Sequence, residues 1–429
     1  MNDVEGWDQV HFGSLLSLIR NGYSGQQVGR VTSFPVSRIE TISNGVVDLE
    51  KVGFVDSIPN SYLLKDGDIL FSNINSLKHI GKTAQVKAGI FLFHGMNLLV
   101  FRAVDDVDAQ FLYYKLTSTK PWFEKMATQA INQASINQTT LKELVLDIPI
   151  FKPEQSKIAE ILSTVDRAIE QSEALIAKQQ RIKTGLMQDL LTRSIDEHGN
   201  LRSEQTHQFK DSPLGRIPVE WEVKALSDLV DEDITYGIVQ AGPHIENGVP
   251  YIRTGDMAGD AIGLKNLLRT SKQIAESYKR STVHYGDIVF ALRATVGKVL
   301  PVTEELDGAN LTQGTAKISA KESIDSKFLL WAMRSSKVQS EIRIDLKGTT
   351  FMEITLGNLR RITLAFPKKE SEQTVIGEKF EKHDCLRRCY ERHAGKLRSL
   401  KTALMQDLLT GKVRVTPLLE NRRDLRDER

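Results

Sequence analysis

Cysteine is nearly absent. Two residues in 429, Cys385 and Cys389, cannot build a disulfide framework, and a reducing, cytoplasmic setting is the expectation. No apolar run approaches the ~18 residues that a membrane helix requires. The opening MNDVEGWDQVHFG carries acids in place of a hydrophobic signal region, so neither a membrane partner nor export is expected. An excess of one charge is missing too. The net charge of +2 gives, alone, no reason to expect nucleic acid as a partner.

Motifs for cofactor chemistry are also wanting. HIGKT at 79–83 mimics the end of a phosphate-binding loop, but Ser76 stands where that motif needs glycine, and a later counterpart reads VGKV. There is no dinucleotide-type glycine-rich turn, no Asn/Asp-Pro-Pro-aromatic motif of amino-methyltransferases, and no nuclease-like Asp…Glu-x-Lys cluster. Cys385, Cys389 and His393, with His383 nearby, fall at steps of four as a metal face could. The equivalent stretch of the first copy has Arg167 and Gln171 instead, and zinc normally fixes a turn and not a straight helix. No metal and no bound cofactor are expected on this chain.

What is present is a repeat, and such a repeat decides architecture. Residues 183–192 read KTGLMQDLLT and residues 401–410 read KTALMQDLLT, nine matches in ten positions at an offset of 218. The offset holds back through Glu154-Gln155 against Glu372-Gln373, Pro149 against Pro367 and Leu141 against Leu359. Weaker echoes follow at drifting offsets: Gly67-Asp68-Ile69 with Gly286-Asp287-Ile288, Gly81-Lys82 with Gly297-Lys298, Phe111-Leu112 with Phe328-Leu329, Pro35 and Arg38 with Pro250 and Arg253, Trp7 with Trp221. The chain is two copies of one unit. The last part of each copy is alike and the first part diverges, as two different readers on equivalent supports would.

The supports, 154–192 and 372–410, read as helices. Ile158, Leu162, Val165, Ile169, Ile176, Leu186 and Leu190 form one apolar seam. Ile376, Phe380, Tyr390, Ala394, Leu397, Leu404 and Leu408 form the other. Ser172, Gln179, His383 and Arg387 interrupt the seams. Pro153 suits a helix start, Ser371 a cap and Gly411 a stop. A helix of this length must bury its stripe, and the other copy is the obvious partner, packed antiparallel about a pseudo-twofold axis. Residues 1–150 and 215–365 read as α+β, with short β-like runs between Gly/Asn/Asp turns and a helix at Gln110–Leu116 or Lys327–Met333. Charge is uneven: residues 261–300 carry seven Lys/Arg against two acids, and 194–235 carry ten acids against four bases.

The duplicated order is specific. Gly-Asp-Ile opens it; a polar loop, Gly-Lys, Phe-Leu, a Ser/Thr-rich loop, Pro and Glu-Gln follow; a long helix closes it in LMQDLLT. Together with the linker FKDSPLGRIPVEWEVKALSDL at 209–229, this resembles the Type I restriction–modification specificity (S) subunits over essentially the whole chain. The first copy departs from the pattern: no Pro-Leu-Gly precedes Trp7, and Val36-Ser37-Arg38 replaces Tyr251-Ile252-Arg253. The resemblance implies an α+β fold with two target-recognition domains joined by two long antiparallel helices in a coiled-coil-like rod. The domains expected are 1–150 for the first recognition domain, 196–365 for a linker and the second recognition domain, 151–195 and 366–411 for the spacer helices, and 412–429 as a charged tail.

It further implies a non-catalytic reader of a bipartite, asymmetric target in double-stranded DNA. That reader would dock two methyltransferase subunits and restriction/translocase subunits, with S-adenosylmethionine, ATP and Mg bound only on those partners. Candidate DNA contacts follow the Gly-Asp-Ile strands. They are Asn73, Asn75, Lys78 and Lys82 in loop 72–82, and Arg293 and Lys298 in loop 291–298. Arg38, Arg253, Gln133, Asn137, Thr349 and Thr350 are further candidates. Candidate subunit contacts are Ala159, Gly185, Leu186, Leu190, Gly377, Gly395, Leu404 and Leu408. Three alternatives remain open: the DNA-binding scaffold of another methylation-based defence complex, a stand-alone DNA-modifying enzyme, and a scaffold that binds no DNA.

Overall fold

The computed structural model describes residues 4–43, 45–130, 133–344 and 352–419, without the side chains of 129, 130 and 133. The chain forms two compact units, one of residues 1–173 with 392–429 and one of residues 174–391. Two helices of 39 residues, Lys152–Leu190 and Glu370–Leu408, are each shared between the units. Both begin and end two residues earlier than the apolar pattern suggests. Ser371 therefore lies inside a first turn and does not cap it.

In the first unit, four antiparallel strands form a sheet in the order Leu16–Asn21, Leu99–Ala103, Ile69–Phe71, Thr83–Gln85. Ile69–Phe71 is buried along its whole length, as a central strand covered on both faces must be. Phe12, Phe71, Phe101, Phe111 and Phe123 fill the core on one side. Trp7–His11 pairs with Val145–Pro149 beside it. Asp108 caps the helix Ala109–Ser118 by accepting from the backbone of Gln110 and Phe111. Ile158, Ala159 and Leu162 of the first long helix share that core with Leu408 and Leu409. Here the two helices run antiparallel: Asp166 pairs with Lys401 at 2.6 Å and Glu173 pairs with Arg398.

The second unit repeats the plan. Ile288–Ala291 lies between Val299–Pro301 and Thr315–Ile318, and Trp221–Ala225 pairs with Thr363–Pro367. A further sheet joins Val249–Ile252 to Leu268–Thr270 and, in parallel, to Asn310–Leu311. The helix Ser326–Met333 is buried from Phe328 to Met333, and Trp331 stacks on Phe380 with ring centroids 5.2 Å apart. Lys183 reaches Asp384 at 3.1 Å and Gln179 meets His383 at 3.2 Å, so the helices are antiparallel here as well. The polar seam positions Ser172, Gln179 and Arg387 are all buried.

The repeat extends to single hydrogen bonds. Gln155 donates to the Pro149 carbonyl at 2.8 Å and accepts from the Asp108 amide at 2.8 Å. Gln373 does the same with Pro367 at 2.9 Å and Asp325 at 2.9 Å. Each glutamine thus ties the start of a long helix to the capping aspartate of its unit's buried helix. A Glu precedes each. Arg414 forks onto Glu154 at 2.7 and 2.8 Å, and Arg202 forks onto Glu372 at 2.6 and 3.1 Å.

Candidate nucleic-acid interface

Strand register gathers the loops of the first unit at one end of its sheet. Leu99 lies opposite both Asn21 and Phe71, and Phe71 lies opposite Thr83. The chain leaving Asn21, the chain entering Leu99 and the loop from Ser72 to Lys82 therefore emerge together. The loop is closed by the Ser72 amide donating to the Lys82 carbonyl at 2.9 Å and the Gly81 amide to the Ser72 carbonyl at 3.0 Å. Gly81 has φ +74°, and a Cβ there would meet Phe123 at 2.7 Å. In the second unit Ala291 bonds Lys298 at 2.9 Å and Gly297 bonds Ala291 at 3.1 Å, with Gly297 at φ +84°. The Gly-Lys pair is thus the turn of a repeated hairpin, which accounts for it without a nucleotide.

A second hairpin, Thr128–Ala130 with Gln133–Ser135, pairs onto Ile74–Asn75. It brings the strand of Gln133 beside the 72–82 loop; the Gln133 side chain is outside the described residues. Asn73 is 7% exposed, its carbonyl accepts from Ile136 at 2.9 Å, and its side-chain oxygen is buried without a partner. Asn75 donates to Ser72 Oγ at 3.2 Å and accepts from the Ser76 amide at 2.8 Å. Asn137 caps Gln138–Lys142 by accepting from Thr140 at 2.8 Å, a local bond that occupies its oxygen. Lys78 is exposed and Lys82 half-buried. Burial, then Lys82, Lys78 and Lys120, hold the His79 imidazole below its ordinary pKa. Arg38 is exposed and pairs loosely with Glu40 at 3.6 Å.

In the second unit Arg293 is exposed and donates from Nε to Glu353 at 2.8 Å. The Ile354 amide donates to the Leu292 carbonyl at 3.1 Å, repeating the Ile136–Asn73 contact. Lys298 Nζ donates to the Ala258 carbonyl at 2.8 Å. Arg253 forks onto Asp256 at 3.1 and 2.9 Å, a pair that raises the guanidinium pKa further. Both arginines hold a carboxylate of their own chain. Thr349 and Thr350 lie outside the described residues.

Among the candidate subunit contacts, Ala159, Leu190, Gly377 and Leu408 are buried within this chain's own cores and Leu186 and Leu404 are half-buried. Gly185 and Gly395 are exposed, and a Cβ on either would meet nothing within 4 Å. A Cβ on Gly377 would lie 3.0 Å from Asp325, Lys327 and the Phe328 amide; the small residue admits the capped end of Ser326–Met333. Cys385 and Cys389 are free and exposed. Among the described residues no group of three or more His, Cys, Asp or Glu side chains is placed to hold a metal, and no helix is long and apolar enough to cross a membrane. Sequence reasoning passed over the segments following Gly22 and Gly237, although each carries a glycine in the same place.

A family model described as the Type I restriction modification DNA specificity domain matches residues 5–179 and again 218–393. A putative type I restriction enzyme MjaX specificity subunit from Methanocaldococcus jannaschii is 34% identical over 425 residues, covering 96% of this chain and 94% of that one. The MjaVIII specificity subunit of the same organism is 25% identical over 431 residues, with 96% and 94% coverage. The crystal structure of the Type I restriction–modification S subunit from M. genitalium superposes with a TM-score of 0.64 at 18% identity, over 95% of this chain and 97% of that chain. The two matched segments, the two-copy fold and the full-length relative agree: the chain belongs to the Type I restriction–modification DNA specificity subunits.

Proposed function

We propose that this chain reads a bipartite, asymmetric site in double-stranded DNA, one half with each unit. On this reading it takes no part in bond making. It docks two methyltransferase subunits and the restriction/translocase subunits, which carry S-adenosylmethionine, ATP and Mg. One observation carries the reading: unlike sheet-end segments stand on equivalent supports. Gln155 and Gln373, Asp166–Lys401 and Asp384–Lys183 repeat bond for bond. The sheet-end segments differ in sequence: SNINSLKHIGK at 72–82 shares only its final Gly-Lys with ALRATVGK at 291–298, and SGQQ at 24–27 corresponds to VQA at 239–241. Base edges carry sequence information and phosphate contacts only position a protein, so unlike sheet-end segments on equivalent supports are what two half-site readers need.

The test is methylation mapping of DNA exposed to the complex assembled from this chain and its methyltransferase partners. A single split motif with two unrelated halves is expected. Arg293→Ala should weaken binding several-fold; unchanged affinity and unchanged salt slope would remove that residue from the interface. Methyl transfer by the isolated chain, or no DNA binding by the full complex, would overturn the reading.

A further inference from the structure

The hairpins at 72–82 and 291–298 share their sheet ends with a second pair of segments. The chain leaves Leu16–Asn21 through Gly22, whose added Cβ would lie 1.7 Å from the Gly95 carbonyl oxygen. Tyr23 then donates to the His94 carbonyl at 2.9 Å. In the second unit a Cβ on Gly237 would lie 1.9 Å from the Leu311 carbonyl oxygen, and Ile238 donates to that carbonyl at 2.7 Å. Gln313 donates back to Ile238 at 3.0 Å. The same glycine-permitted crossing of two backbones clamps both turns.

Different side chains ride on this common clamp. Ser24-Gly25-Gln26-Gln27 follows Tyr23, and Val239-Gln240-Ala241 follows Ile238. On the opposing segments stand Asn97 and Gln313. Gln26, Asn97, Gln240 and Gln313 are exposed and Gln27 is half-buried. In the first unit, Gln26, Gln27 and Asn97 line one open cleft of about 350 Å³ together with Arg38. Asn97 sits at φ 64°, a left-handed conformation that asparagine tolerates.

We propose that these amide-bearing turns, Gln26/Gln27/Asn97 in the first unit and Gln240/Gln313 in the second, are the base-reading elements, with the lysine-bearing hairpins on phosphate. The assignment rests on the DNA-reading function proposed above. A carboxamide offers a donor and an acceptor side by side, which matches the adenine edge in the major groove; a lysine offers only a point charge. Rigid backbone beneath the amides holds that geometry. Exposed Lys78 and half-buried Lys82 on the first hairpin suit a strand of phosphates, which is alike for every sequence.

The experiment uses the complex with its methyltransferase partners and a DNA library randomised in both half-sites, bound at two salt concentrations. The variants are Gln26→Ala with Asn97→Gly, and Gln240→Ala with Gln313→Ala; glycine keeps the left-handed backbone at 97. Thermal midpoints and partner co-purification report intact folding. Each variant should lose about tenfold discrimination at one or two A·T positions of one half-site, leaving the other half-site and the salt slope as they were. Unaltered preferences in both variants, or a uniform loss across all sequences with a shallower salt slope, would overturn the assignment. An unaltered complex without sequence preference would bring down the DNA-reading function itself, and this assignment with it.

Discussion

Two lysines in the repeated KT-x-LMQDLLT segment show what single residues do here. Lys183 pairs with Asp384 and lies 4.5 Å from the centre of the Trp331 ring. Lys401 pairs with Asp166 and lies 5.6 Å from the centre of the Tyr114 ring. Both pairs keep the 218-residue offset. Burial pushes the Asp384 carboxyl up, but Lys183 and Arg387 outweigh it and hold its pKa below the ordinary value. The stability this confers is present above the usual carboxylate range and is lost as pH falls below it. Asp384→Ala takes the carboxylate from half-buried Lys183, while Arg387 keeps Asp260 and Glu391, and should cost about 2 kcal/mol in urea unfolding. His94 acts in the opposite charge state. It is fully buried, its Nε2–H donates to the Arg20 carbonyl at 3.3 Å, and burial pushes its pKa down to about 4. Between the unfolded value of 6.5 and about 4 the unfolded chain binds a proton that the folded chain refuses. The first unit should therefore be fully stable above pH 6.5 and lose roughly 3 kcal/mol as pH falls to about 4. His94→Gln should flatten that profile. The lysines were legible as repeated letters. Their partners were not, because Asp166 and Asp384 match one another across the repeat without any sequence signal that they face a lysine 201 or more residues away.

At the scale of elements, the long helices, the Gly-Asp-Ile strands and the buried helices were readable, since each is set by local periodicity or a capping residue. The ladder of Thr128–Ala130 with Gln133–Ser135 on Ile74–Asn75 was not. Its strands are three residues or fewer and its register depends on partners far along the chain. The same limit applied to the turns after Gly22 and Gly237: the glycines were visible, but the carbonyls that demand them were not. Gly377 shows how a small residue gains meaning only from its neighbour. Its counterpart Ala159 is 3% exposed, so a methyl group is accommodated in the first copy. Gly377→Val should force the helix Ser326–Met333 away from its capped end. A loss of about 1–3 kcal/mol is expected, read as a lowered midpoint in chemical unfolding; an unchanged midpoint would mean that the crossing yields freely.

For the whole molecule, the proposed division between readers and spacer makes a length prediction. A matched seven-residue deletion from both long helices removes about 10 Å at 1.5 Å per residue, or roughly three base pairs of DNA. Methylation mapping should then show a shorter unread spacer between unchanged half-sites. Altered half-sites would mean that the helices shape the readers as well as separating them.

The two Arg–Glu forks have a consequence of their own. The segment trailing the first long helix, through Arg202, seizes the first turn of the second, and the segment trailing the second, through Arg414, seizes the first turn of the first. Arg414 also donates to the carbonyl of Glu5, so the two ends of the described chain lie side by side. Each unit thus carries one such fork, joining the segment after one long helix to the start of the other. A circularly permuted chain, opened between residues 203 and 208 and sealed by a short linker from beyond Arg414 to Glu5, should fold and bind its partners, with its two readers exchanged in chain order and its DNA target unchanged.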